Sequence, residues 1–182
     1  DTDTYKFTKN PATVNGDSGS AVDAGAKDIH VDSGENTLNL NGGNTGVGVK
    51  AEGGKTADIK GNANITGKTG VVADGAGGIT NVTAGAGGKA VRAGAGSSVS
   101  LQSGKLKGDV EADGGTVSLR EAKTEGNVTA AAGGSINLTD GSVSGAATAD
   151  NGTIETENTN VVNGASALNG GKLKLRNGKI SG

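Results

Sequence analysis

A short motif returns along this chain at nearly constant spacing. Val91-x-Ala93, Val110-x-Ala112, Val128-x-Ala130, Ala147-x-Ala149 and Ala165-x-Ala167 begin 19, 18, 19 and 18 residues apart. Each triplet runs into a Gly-rich corner: Gly96-Ser97, Gly114-Gly115, Gly133-Gly134, Asn151-Gly152, Gly170-Gly171. Each corner leads to a second triplet: Val99-x-Leu101, Val117-x-Leu119, Ile136-x-Leu138, Ile154-x-Thr156, Leu173-x-Leu175. A single third position follows, Leu106, Thr124, Val143, Val161 or Ile180, of which Thr124 is the weak member. A fixed period of this size marks a repeat architecture, in which stacked neighbours bury what no single unit could bury.

Within a triplet the period is two, as in a strand whose alternate side chains point to opposite faces. Triplets of this length cannot hold a hairpin, and the glycine content disfavours helix. Three short strands per repeat, joined by tight corners, predict an all-β chain: a right-handed three-sided parallel β-helix of about eight coils, 18–20 residues each. The spacing between coils is then that of paired strands, about 4.8 Å. Upstream, Val71-x-Ala73, Val49-x-Ala51 and Val22-x-Ala24 extend the apolar-x-Ala column at wider intervals. Those intervals predict longer loops in the first third, around Gly42–Gly46. Residues 1–21 are expected to form an N-terminal cap in which Tyr5 and Phe7 cover the first coil. Residues 22–182 form the β-helix, and the regular pattern up to Gly182 predicts that the natural chain continues.

Composition agrees. The chain has 182 residues with 36 Gly, one Pro, no Cys, Met or Trp, and one Tyr and one Phe. A narrow interior takes Val, Ile, Leu and Ala, and corners take Gly or Asn. Sparse large apolar residues could also signal disorder, but disorder favours high net charge and carries no register; the net charge here is −2. Glycine at every third position is absent, which excludes collagen. No apolar run reaches the length of a membrane span, residues 1–10 are polar, and near-neutral charge argues against nucleic acid as partner.

Motifs for chemistry are sparse. Gly-Lys-Thr stands at 54–56 and 67–69, but Val49 and Asn62 occupy the positions where a phosphate loop needs its first glycine. The Gly-x-Gly pairs starting at Gly46, Gly75, Gly85 and Gly94 lack the third glycine of a dinucleotide site. His30 is the single histidine and, between Ile29 and Val31, is expected to point outward. Asp109, Glu111 and Asp113, with Glu121 and Glu125, could suggest glycoside cleavage, which needs two carboxyls held in a cleft. Minimal corners and no aromatic platform favour a solvated face instead. Five Asn-x-Ser/Thr sequons, at Asn64, Asn81, Asn127, Asn137 and Asn151, decide nothing in so Thr-rich a chain. No catalytic residue, metal or cofactor is expected. One feature departs from the mean: Lys172, Lys174, Arg176 and Lys179 follow the last acid, Glu157. Lys172, Lys174 and Arg176 should share the face opposite Leu173 and Leu175, while Lys179 falls in the column of Lys105 and Lys123. Together they form a candidate partner-binding patch for an acidic receptor surface or sulfated glycan, or else lysines that protect a sheet edge.

The unit Gly133-Gly134-x-Ile136-x-Leu138-x-x-Gly141-x-Val143-x-Gly145 resembles the passenger domains of bacterial autotransporters (type V secretion) from about Val22 to Gly182. The resemblance implies a right-handed parallel β-helix exported across the outer membrane, on the bacterial surface or released. It also implies roles as an adhesin, an aggregation factor or a released effector, the last including an angiogenic agonist of a host growth-factor receptor. The expected partner is accordingly a host cell-surface protein, and the expected role is non-enzymatic. A self-associating aggregation factor, whose partner is another copy of itself, is the first alternative, and a carbohydrate-active β-helix enzyme the second. The resemblance carries over no functional residues.

Overall fold

The computed structural model describes residues 1–43, 45–51, 54–66, 69–73, 79–84, 89–96, 98–101 and 103–182. Ser97, Gly67, Lys68, Gly75 and Gly85, named above, lie outside these residues. Among the described residues there is no helix, and every strand pairing is parallel.

The regular repeat appears as a recurring order of three sheets. One sheet stacks Ser98–Leu101, Thr116–Arg120, Ser135–Thr139, Thr153–Glu157 and Lys172–Arg176. Between consecutive members the chain visits a second sheet through Gly104–Lys107, Ala122–Glu125, Ser142–Val143 and Asn160–Val161. It then visits a third through Asp109–Asp113, Val128–Ala131, Ala147–Asp150 and Ala165–Leu168. Each strand therefore pairs with the third strand along, not with its sequence neighbour. The arrangement is all-β and parallel, consistent with a parallel β-helix.

Register follows the apolar pattern. Val110 pairs with Val128, and Val128 with Ala147; Val117 pairs with Ile136, and Ile136 with Ile154. Leu106, Thr124, Val143, Val161 and Ile180 lie in one ladder, as the sequence pattern requires. Thr124, its one polar member, is as buried as its neighbours. Each fully buried Val, Leu or Ile stabilises by about 1.5–3 kcal/mol relative to exposure.

The upstream phase differs from expectation. Val22 pairs with Val49 and Val49 with Val71 in a sheet formed by Ser20–Asp23, Val47–Ala51 and Thr69–Ala73. Thr69–Ala73 lies against Ser98–Leu101, so these triplets continue the apolar-x-Leu column and not the apolar-x-Ala column. The strands upstream of Lys89–Ala93 are instead the far halves of two long strands, Asp28–Asn41 and Thr56–Thr66. Asp28–Asn41 takes Thr2–Lys6 on its first half and Ala12–Asn15 on its second. Between the two halves Gly34 has φ 63° and Ser33 is buried, its Oγ donating to Lys60 O at 2.9 Å.

Gly42 and Gly46, at the ends of the expected longer loop, are themselves close-packed. Gly42 and Gly46 are buried, and Val47 N–H donates to Gly19 O at 2.8 Å. A Cβ at Gly46 would overlap the Gly19 carbonyl oxygen. The wider upstream interval is taken up partly by the long bent strands, the first of which has 14 residues.

The corners before Ser135, Thr153 and Lys172 divide their demands between two residues. The first has positive φ, as in Gly133 (79°), Asn151 (53°) and Gly170 (81°). The second, Gly134, Gly152 or Gly171, sits on the preceding strand's carbonyl, of Ala112, Ala130 and Ala149 respectively, where no Cβ fits.

Candidate partner-binding face

Lys172, Lys174 and Arg176 are brought together as expected. They are exposed on Lys172–Arg176, the last strand of its sheet, alternating with Leu173 and Leu175. The strand beneath is Thr153–Glu157, in which Thr153, Glu155 and Glu157 stand opposite the three cations in register. Lys174 Nζ lies 2.6 Å from Glu155 Oε1. The hydrogen bond from Lys174, reinforced by its charge and more weakly by Arg176, holds the Glu155 carboxyl below its ordinary value of 4.5. The face is thus an alternation of charge and not a purely basic patch, because the repeat places two acids one strand below the cations. A shallow cleft of about 90 Å³ lies there, lined by Asn137, Thr139, Glu155, Glu157, Lys174 and Arg176.

Lys179 does not join them. It lies beyond that strand, and its backbone N–H donates to Asn160 Oδ1 at 3.1 Å, in the neighbouring sheet. Its column runs back through Asn160 and Ser142 to Lys123 and Lys105. The column assignment from sequence holds, but Asn177, with φ 44°, turns the chain between Arg176 and Lys179.

Of the carboxylates considered for catalysis, Asp109, Glu111 and Asp113 share one strand and Glu125 lies on another sheet, and these four are engaged in cross-strand contacts. Glu111 pairs with Lys89 at 2.9 Å and lies 3.9 Å from Arg92, and Asp113 pairs with Arg92. Asp109 Oδ1 accepts from the Asn127 N–H at 2.8 Å, and Asn127 Oδ1 from Ala146 N–H at 2.8 Å. Glu125 pairs with Lys105 at 2.6 Å, and that hydrogen bond holds its carboxyl below its ordinary value. Glu121 occupies a positive-φ corner. His30 is half-buried, in register with Thr4 and Asp58. Among the described residues no three His, Cys, Asp or Glu side chains are grouped to hold a metal ion. No helix there is long and apolar enough to cross a membrane.

At the N-terminal end Phe7 packs against the core while Tyr5 is half-exposed. With Val14, Ala21, Val22 and Ile29 they line an apolar pocket of about 270 Å³.

Sequence reasoning missed the cross-strand polar ladders. Asn158 Nδ2 donates to Asp140 Oδ1 at 2.9 Å, Asn169 Nδ2 to Asp150 Oδ1 at 2.6 Å, and Asn64 Nδ2 to Asn39 Oδ1 at 3.0 Å. Stepping each polar residue by 18 or 19 positions would have found the first two. No protein-family model, curated protein or solved structure matches this chain.

Proposed function

We propose that this chain is a right-handed, three-sided parallel β-helix of about eight coils that acts as a rigid binding scaffold. In this reading it is a passenger of the bacterial autotransporter type, at the cell surface or released, and it engages a host cell-surface protein. Receptor agonist and adhesin are both forms of that role. The observation that carries the reading is the outward column built from Glu155, Glu157, Lys174 and Arg176. Its charges are set by ladder register and by the 2.6 Å Lys174–Glu155 contact. A surface ordered before binding loses little conformational entropy when a partner docks.

Charge reversal tests it. Lys172→Glu, Lys174→Glu and Arg176→Glu together are expected to abolish binding to mammalian cells with an unchanged far-UV circular dichroism spectrum. Lys179→Glu, on the neighbouring side, is expected to leave binding intact. Full binding by the triple variant would remove the site from this face.

A further inference from the structure

Where two charged residues meet in register on these ladders, their signs are opposite. Arg92 stands opposite Glu111, Lys89 opposite Asp109, Asp23 opposite Lys50, and Asp32 between Lys6 and Lys60. Among the described ladder pairs one breaks the pattern: Lys105 is in register with Lys123, cation against cation. Like charges directly opposite on neighbouring strands repel. Lys107, two residues along from Lys105, is a third cation of the group, and all three are exposed. Glu125 is the carboxylate nearest to them in register, and it is engaged by Lys105 at 2.6 Å. Among the described residues no carboxylate forms an ion pair with Lys107 or Lys123. A sequence otherwise consistent in its pairing breaks a local rule most often where function requires it.

Gly104–Lys107 and Ala122–Glu125 each have a paired strand on both sides, so these lysines stand on a side of the stack, away from either end. Strand geometry sets Lys105 and Lys123 about 4.8 Å apart at the backbone, and Lys105 and Lys107 about 6.6 Å. Two uncharged groups flank them: Asn81, whose Oδ1 accepts the Lys105 N–H at 3.1 Å, and Ser142, in register with Lys123. The ligand that fits carries several anionic groups at close spacing, together with hydroxyls. No exposed large apolar residue stands among the lysines, so a protein partner finds no anchor there. Tyr5 and Phe7 are the sole aromatics of the chain, so nucleic acid bases find no stacking platform beside them. We propose that Lys105, Lys107 and Lys123 form a second binding site, for a sulfated glycan. One of its sulfate groups bridges Lys107 and Lys123, and its hydroxyls meet Asn81 and Ser142. The site lies on a different sheet from Lys172–Arg176 and stands apart from the reading above. Contacts between exposed charges are screened by salt, so the site steers the chain toward a sulfated surface and leaves firm attachment to the other face.

The test is fluorescence anisotropy of a labelled, fully sulfated heparin oligosaccharide titrated with the full 182-residue chain at about 0.01 M ionic strength, where screening is weak. Saturable binding is expected, weakened about fivefold in Lys107→Gln/Lys123→Gln, the worth of two exposed charge contacts. Lys172→Gln/Lys174→Gln removes the same charge from the other face and is expected to leave the affinity unchanged. Glu125→Gln is expected to tighten binding, because it removes the carboxylate that competes for Lys105. Absence of binding overturns the proposal. So does equal loss in the two double variants, which would make the effect one of net charge, or a larger loss in Lys172→Gln/Lys174→Gln, which would move the glycan to the other face. Displacement of the oligosaccharide by polyglutamate as readily as by unlabelled heparin also overturns it, since an acidic protein would then serve as well.

Discussion

Lys174 Nζ lies 2.6 Å from Glu155 Oε1, across one strand step of the same outward column. The contact depresses the Glu155 carboxyl below 4.5. A depressed acid contributes stability above its unfolded value and loses it as the pH falls through the folded value. The contribution is therefore present at neutral pH and fades on acidification below about 4.5. Both partners are well exposed, so its effect on overall stability is small. Lys174→Met is expected to return the Glu155 titration, followed by carboxyl NMR, toward 4.5. An unmoved titration would show that the contact does not persist in solution.

The two-residue corner inverts a common expectation about glycine. Gly133, with positive φ, faces open space, whereas Gly134 lies on the Ala112 carbonyl. Gly133→Ala is expected to cost about 1–2 kcal/mol, the usual penalty for a left-handed residue with a Cβ. Gly134→Ala is expected to cost more, about 3 kcal/mol, because the backbone of one strand must move off its neighbour. Denaturant unfolding of the two variants gives the order directly.

Thr80 Oγ1 is buried and has no hydrogen-bond partner among the described residues. Thr80→Val keeps the shape and removes an unsatisfied hydroxyl, so it is expected to stabilise by about 1 kcal/mol. Urea unfolding checks this, and destabilisation would mean that the hydroxyl is satisfied.

The interior columns predict cavity costs. Ile154 is fully buried, in register with Ile136 and Leu173. Ile154→Ala is expected to cost about 2–5 kcal/mol, read as a lowered unfolding midpoint. A cost below about 1 kcal/mol would indicate a site that collapses around the smaller side chain.

Much of the downstream half was legible because apolar residues fill most positions of each inward column. The ladder from Leu106 to Ile180, including polar Thr124, follows from stepping 18 or 19 residues. Upstream, the same motif misled. Thr69–Ala73 lies against Ser98–Leu101 and not in the sheet of Lys89–Ala93, so apolar-x-Ala does not identify a side by itself. Backbone register decides it, and the irregularity between Asp32 and Thr37, where the pairing of the two long strands slips, shifts the count between sides. The basic cluster was legible as three residues on one face. Its pairing with Glu155 and Glu157 was not, because that depends on which strands are stacked. Lys179 was correctly placed in its column, yet one corner separates it from the other three.

Binding of the labelled, purified chain to human endothelial and epithelial cells, with and without trypsin treatment of the cells beforehand, tests the central claim most directly. The scaffold reading predicts saturable binding that trypsin removes. Absence of binding to either cell type, or binding that trypsin leaves unchanged, would contradict a cell-surface protein as its partner.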